Sequence, residues 1–169
     1  MTTTTPTTIA ITGHIHLTEA SVPLVRDALR TALAPFADGG LTGVSCLAMG
    51  ADSLFADAVL DLGGRLVAIV PSLDYRERVV GPGHAGTFDR LAAAAGELLV
   101  LPHPEAGPAA YADANRAMLA RADRLIAVWD GRTAPGTGGG TADAVRVARE
   151  AGLPVEVVWP EGAARRTAS

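Results

Sequence analysis

Leu125-Ile126-Ala127-Val128-Trp129-Asp130-Gly131 reads as an apolar strand that ends on a carboxylate and a glycine. After it, Pro135-Gly136-Thr137-Gly138-Gly139-Gly140-Thr141 forms a glycine-rich turn that runs into a helix. A turn of this kind brings backbone N–H groups and a helix N-terminus to one point. Such a point suits an anion, most often a phosphate. Three glycines in a row cost conformational entropy unless their torsions are used. Asp130, Gly131, Gly139, Gly140 and Thr141 are therefore candidate ligand residues.

A second strand–turn junction lies at the other end of the chain, in Ile9-Ala10-Ile11-Thr12-Gly13-His14. Gly13 would let a ligand approach the backbone, and Thr12 offers a hydroxyl. His14 can bind phosphate or move a proton near neutral pH. The alternative is a tight turn with a solvated histidine. In Met49-Gly50-Ala51-Asp52-Ser53, Gly50 and Ala51 would line the ligand and Asp52 would take a ribose hydroxyl. Asp52 or Ser53 would equally serve as a helix cap. Pro71 closes the third strand. Beyond it Arg76 and Arg78 flank Glu77 and would clamp a phosphate, with Tyr75 stacking on a base. A solvated loop with Arg76 paired to an acid is the competing account. His16 follows His14 by two residues, but no third ligand accompanies them, so no metal and no resident cofactor is expected.

Composition narrows the classes. A chain of 169 residues is long enough for one domain with a sizeable core, and 49% of it is hydrophobic. No apolar run approaches the length of a membrane span. The threonine-rich start is uncharged and too short for a signal peptide, so a cytoplasmic protein is the default expectation. The single cysteine, Cys46, excludes an intrachain disulfide and reads as a core thiol. Net charge is −4, which argues against nucleic acid as a partner. All 14 basic residues are arginine. Without lysine there is no Walker-type phosphate loop and no Schiff-base chemistry. Arginine instead offers a bidentate fork to phosphate or carboxylate.

These junctions must be held by a scaffold, and the pattern alternates without a break. Strands are predicted at 8–12, 43–48, 65–70, 97–101, 124–129 and 154–158. Helices are predicted at 21–36, 52–62, 84–95, 109–122 and 141–151. In the first helix Val22, Val25, Leu29 and Leu33 recur at helical spacing. Regular alternation gives an α/β three-layer fold with a mainly parallel sheet flanked by helices. The strands are almost uniformly apolar, as strands covered on both faces must be. Residues 1–7 are expected to be a flexible segment, 8–160 the single domain, and 161–169 a loose tail. The stretches 71–82 and 131–139 lack periodicity and follow strand ends, where a doubly wound sheet binds its ligand. The longer one is a candidate lid.

With its junctions in this order, the chain resembles a nucleotide-binding Rossmann-like superfamily. That superfamily includes the lysine decarboxylase-like, cytokinin-activating phosphoribohydrolases and the DNA-processing protein A fold. The nearest likeness is to its small bacterial members of unknown activity. The resemblance rests on Thr12-Gly13-His14, Gly50-Ala51-Asp52, Ile69-Val70-Pro71, and Trp129-Asp130-Gly131 with Gly139-Gly140-Thr141. It spans nearly the whole chain. It implies a three-layer Rossmann-like fold, a nucleotide or phosphorylated small molecule as ligand, and a homodimer packed through helices.

The resemblance also exposes a departure. The phosphoribohydrolases carry a Pro-Gly-Gly-x-Gly-Thr-x-x-Glu run whose glutamate helps cleave an N-glycosidic bond. Aligning its Gly-Thr pair on Gly140-Thr141 places Ala144 at the glutamate. Asp143 is adjacent, about 100° away around a helix. The leading expectation is thus a nucleotide-binding protein, with a sensor as one role open to it. The alternative is an N-glycosidic hydrolase or transferase acting on a nucleoside phosphate, with Asp143 and Asp130 as its catalytic carboxylates and Asp52 on the ribose. A partner-binding domain with a vestigial pocket is the third account.

Overall fold

Each strand is a short apolar run stopped by glycine, proline or a polar residue. Alternation along it decides which helix layer each side chain meets. The structure, a computed structural model, describes residues 5–132 and 140–166. Its elements are β1 (Thr7–Gly13), α1 (Ser21–Leu33), β2 (Leu41–Ser45), α2 (Ala51–Asp61), β3 (Arg65–Val70), α3 (Pro82–Ala94), β4 (Glu97–Val100), α4 (Pro108–Arg121), β5 (Arg124–Val128), α5 (Thr141–Glu150) and β6 (Val155–Val158). The strands form one six-stranded sheet in the order β4-β3-β2-β1-β5-β6. Every ladder is parallel. This is the three-layer, Rossmann-like α/β architecture expected from the alternation.

On one face Ile9, Ile11, Ile126 and Val128 pack against Val25, Leu29 and Leu33 of α1 and Phe55 and Val59 of α2. Leu66, Ala68 and Val70 extend that face to Phe88 and Leu91 of α3. On the other, Ala10, Val44, Val67, Ile69, Leu125 and Ala127 meet Met118 and Leu119 of α4 and Val145 and Ala148 of α5. Each fully buried branched side chain contributes on the order of 1.5–3 kcal/mol. Among the described residues no helix is long and apolar enough to cross a membrane.

Three segments differ from expectation. The first helix is α-helical only to Leu33 and tightens into a 3₁₀ turn over Ala34–Gly39. Pro35 lacks the N–H that would have continued the ladder. The stretch 71–82 is packed down, so it does not form the expected lid. Arg76–Val80 is a single wide helical turn, anchored by buried Tyr75 and Val80 on either side. The Leu73 N–H donates to the His103 carbonyl at 2.8 Å. Asp74 Oδ1 accepts from Ser72 Oγ and from the Ala106 N–H, both at 2.8 Å. The third difference is at the C-terminus. Residues 163–166 fold back along the β1–α1 loop, with Leu17 and Arg165 forming an antiparallel bridge. The described part of the tail is therefore held in place by backbone pairing, and the loose-tail expectation fails for it.

Candidate functional site

The chain builds from β1 through β4 toward one edge of the sheet, and β5 and β6 toward the other. The direction reverses beside β1, where open α/β sheets leave a crevice at the carboxyl ends of the strands. A cleft of about 580 Å³ occupies this place. Thr12, Gly13, His14, Asp52, Pro71, Gly140 and Thr141 line it, and so does Asp143. Gly50, Ala51, Asp130 and Gly131 are not part of its wall, and neither are Arg76 and Arg78. Gly139, with the rest of 133–139, lies outside the described residues.

His14 is fixed, not solvated. Its backbone N–H donates to the Val128 carbonyl at 3.1 Å, tying the end of β1 to β5. The buried ring stands edge-on to Trp159, 5.5 Å between centroids. Nε2 lies 3.1 Å from the backbone N of Asp130 and 3.3 Å from its Oδ1. A backbone N–H only donates, so Nε2 accepts and the neutral ring carries its proton on Nδ1. Burial pushes the imidazole below its ordinary value and the Arg165 cation adds to this, while Asp130 pulls the other way. Asp130 itself accepts from the Arg132 N–H at 2.9 Å and faces Arg165 Nη1 at 3.5 Å. Burial would raise its carboxyl, but the Arg132 N–H, His14 and Arg165 outweigh it and hold Asp130 below the usual carboxylate range.

Asp52 and Ser53 do not cap α2. Asp52 Oδ2 instead reaches back to the Ala48 N–H at 3.4 Å. Burial pushes its carboxyl up to about 7, against the weaker opposing effect of that hydrogen bond. Its surroundings explain the shift. Cys46, packed on Met118 with its sulfurs 3.7 Å apart, and Tyr75 share this wall of the cleft. Burial pushes the Cys46 thiol well up, so it is an inert core thiol. Ser53 Oγ donates to the Ala48 carbonyl at 2.7 Å and sits 3.0 Å from His84 Nε2. With its proton committed to a carbonyl, the serine is not activated, and this buried pair is structural.

The expected arginine clamp is spent elsewhere. Arg76 makes two 2.7 Å hydrogen bonds to Asp89 on α3. Arg78 pairs with Asp74 at 3.7 Å. Tyr75 is only 3% exposed and its ring packs on Phe88, so it is no open stacking platform. The cations that do line the cleft are Arg132, Arg146 and Arg165. They come from the loop after β5, from α5 and from the C-terminal segment. Arg146 shares an α5 face with Asp143, 3.5 Å away, and also pairs with Glu150. Tyr111 and Asn115 enter the wall from the first turns of α4.

Glycine and alanine positions sort differently from expectation. A Cβ on Gly13 would stand 2.4 Å from Ala51 Cβ and 2.9 Å from Val128 Cβ. That glycine is needed to seat α2 against β1, in addition to lining the cleft. Gly50 combines φ +82° with a Cβ position 2.5 Å from the Ile15 carbonyl oxygen, so it too serves the scaffold. Ala51 is fully buried in the core. Gly140 is the opposite case: among the described residues no atom lies within 4 Å of its would-be Cβ. On α5, Ala144 packs into the core, 1% exposed, while Asp143 faces the cleft.

Fold and cleft together define a Rossmann-like α/β protein with a lined crevice at the strand ends. No family model and no curated protein matches the chain. Solved structures do. DNA processing protein A from Helicobacter pylori superposes with a TM-score of 0.67 at 22% identity, over 95% of this chain and 69% of that one. DNA processing protein A from Streptococcus pneumoniae gives 0.64 at 18% identity, and this chain covers only 52% of it. The molybdenum cofactor binding protein from the phototrophic bacterium Rippkaea orientalis gives 0.59 at 16%, over 94% of this chain and 80% of that one. At such identities the likeness is one of fold.

Proposed function

We propose that the protein binds a nucleoside phosphate, or a closely related phosphorylated small molecule, in this cleft. One observation carries the reading: Arg132, Arg146 and Arg165 reach one cavity from three separate elements, at the sheet's reversal point and beside the first residue of α5. Arginine forks suit phosphate oxygens, and the α5 amides add favourable partial charge. Tyr111, Met118 and Trp129 offer the apolar surface a base would cover. Fold likeness to a molybdenum cofactor binding protein is in keeping with a small-molecule ligand. Likeness to DNA processing protein A raises single-stranded DNA as a rival, which the net charge of −4 disfavours.

Calorimetric titration tests this. The panel is nucleoside mono- and diphosphates, ADP-ribose, cyclic dinucleotides and a single-stranded oligonucleotide. Micromolar or weaker binding of a mononucleotide-sized member is expected. Arg76→Ala should leave it unchanged, because that side chain is occupied by Asp89 outside the cleft. Heat from the oligonucleotide alone would overturn the reading.

A second reading rests on Asp143. It places a carboxylate in the cleft one residue before the position at which the phosphoribohydrolases carry their glutamate. An N-glycosidic hydrolase would use it to stabilise an oxocarbenium-like centre. Chromatographic release of free base from nucleoside monophosphates, lost in Asp143→Asn, would promote this reading to first place.

A further inference from the structure

We infer that Arg165 is a phosphate-contacting residue, and that the C-terminal arm is the part of the protein that delivers it. The inference rests on the ligand reading above and adds to it a residue and an element. The arm is built to a fixed position. The Thr18 N–H donates to the Ala164 carbonyl at 3.1 Å, and the Arg166 N–H donates to the His16 carbonyl at 2.9 Å. The Ala164 N–H donates to Ser21 Oγ at 2.7 Å, on a serine that is fully buried at the start of α1. Ser21 Oγ returns a hydrogen bond to the Ala164 carbonyl at 3.1 Å. Between these anchors, Arg165 bridges Leu17 and sends its side chain into the cleft.

Three features make that side chain suited to a ligand. Its one ion pair among the described residues is to Asp130, at 3.5 Å and through a single nitrogen. A guanidinium has five donors, so most of the fork is left for the cleft. Asp130 is already served by the Arg132 N–H and lies beside His14, so Arg165 is not its sole partner. Finally, Arg165 faces the same cavity as Arg132 and Arg146, which suits the oxygens of a phosphoryl group shared among forks. A side chain on a frayed tail would lose much of its binding energy to ordering. Here that entropy is already lost on folding, because the backbone on both sides is pinned.

The test uses the full chain, with ADP, inorganic pyrophosphate and adenosine as probes. Arg165→Gln should weaken ADP and pyrophosphate about 10- to 100-fold, the range for a lost charge-assisted bond, and leave adenosine unchanged. Ser21→Ala keeps the guanidinium but removes the side-chain anchor at Ala164, and should give a smaller loss of the same kind. A readout independent of ligand is the His14 imidazole, followed by NMR titration. Removing the Arg165 cation should raise its pKa, because that cation helps hold it down. Unchanged ADP affinity in Arg165→Gln, with wild type binding, overturns the inference alone. Equal losses for ADP and adenosine also overturn it, pointing to collapse of the arm. A His14 pKa that does not move overturns the placement of Arg165. If wild type binds neither ADP nor pyrophosphate while another mononucleotide-sized panel member binds, this inference falls and the functional reading stands. If no panel member binds, both fall.

Discussion

Replacing Asp52 by asparagine should change how stability depends on pH. An ordinary aspartate ionises at 3.8, and burial moves Asp52 up to about 7 in the folded protein. Between those values the folded state holds a proton that the unfolded chain has lost. The wild type therefore loses stability as pH rises through this window, and the loss levels off above the folded value. Asparagine keeps an oxygen for the Ala48 N–H and has no charge to bury, so it removes the dependence. At 1.36 kcal/mol per pKa unit, the variant should gain about 2.5 kcal/mol on wild type between pH 5 and pH 8. For a chain of this size that is roughly 5–10 °C in Tm.

The assay is urea or thermal unfolding of both proteins at several values from pH 4 to pH 9, read as the difference between them. The two proteins differ at this one side chain, so the difference between them isolates its contribution. The neighbours Cys46 and Tyr75 are held neutral throughout by burial. A gap that stays flat to within about 0.5 kcal/mol would refute the reasoning, since it would mean Asp52 is ionised and well hydrated at neutral pH. The result matters for binding as well. A carboxyl near its midpoint at pH 7 can accept from a ligand hydroxyl in one form and donate in the other.

Other substitutions test the division between scaffold and cleft. Gly13→Ala puts a Cβ 2.4 Å from that of Ala51 and should cost about 1–3 kcal/mol in urea unfolding, the usual penalty for overpacking. Ala144→Glu buries a carboxylate in the core beside Val145 and Ala148, so it should destabilise by several (~3) kcal/mol and create no glycosidase. Gly140→Val should leave Tm unchanged and abolish nucleotide affinity, because its side chain enters space in the cleft that no described residue fills, at a φ of −82° that valine adopts freely. Retained affinity in that variant would move the phosphate away from α5.

The strands were legible because each is a run of apolar residues with a hard stop, such as Pro71 after β3. Once the sheet is parallel, all carboxyl ends share one edge, so Thr12, His14, Asp52, Pro71 and Thr141 could be placed together from the sequence. The short turn at Arg76–Val80 carries no such repeat, and its burial depends on Tyr75 and Val80 meeting α3. The arginines were misassigned for a related reason. Whether a surface cation is free depends on carboxylates far along the chain, as Asp89 is from Arg76. Nothing local marks Arg165, because its position follows from backbone pairing with a loop nearly 150 residues earlier.

Two features were within reach of sequence reasoning and show how it is done. On α5, Ala144, Val145 and Ala148 form the apolar stripe, which already commits position 144 to the core and turns Asp143 and Arg146 elsewhere. A motif alignment that ignores this phase puts a catalytic carboxylate where no substrate can go. In a parallel α/β unit, each helix also begins at the edge where the preceding strand ends. The first turns of α4, with Tyr111 and Asn115, therefore belong beside the cleft whatever their chemistry. The glycines resist the same treatment. Gly13, Gly50 and Gly140 all sit at strand–helix junctions and look alike in the sequence. Only the described atoms around each missing Cβ separate two that hold the scaffold together from one whose Cβ meets none of them.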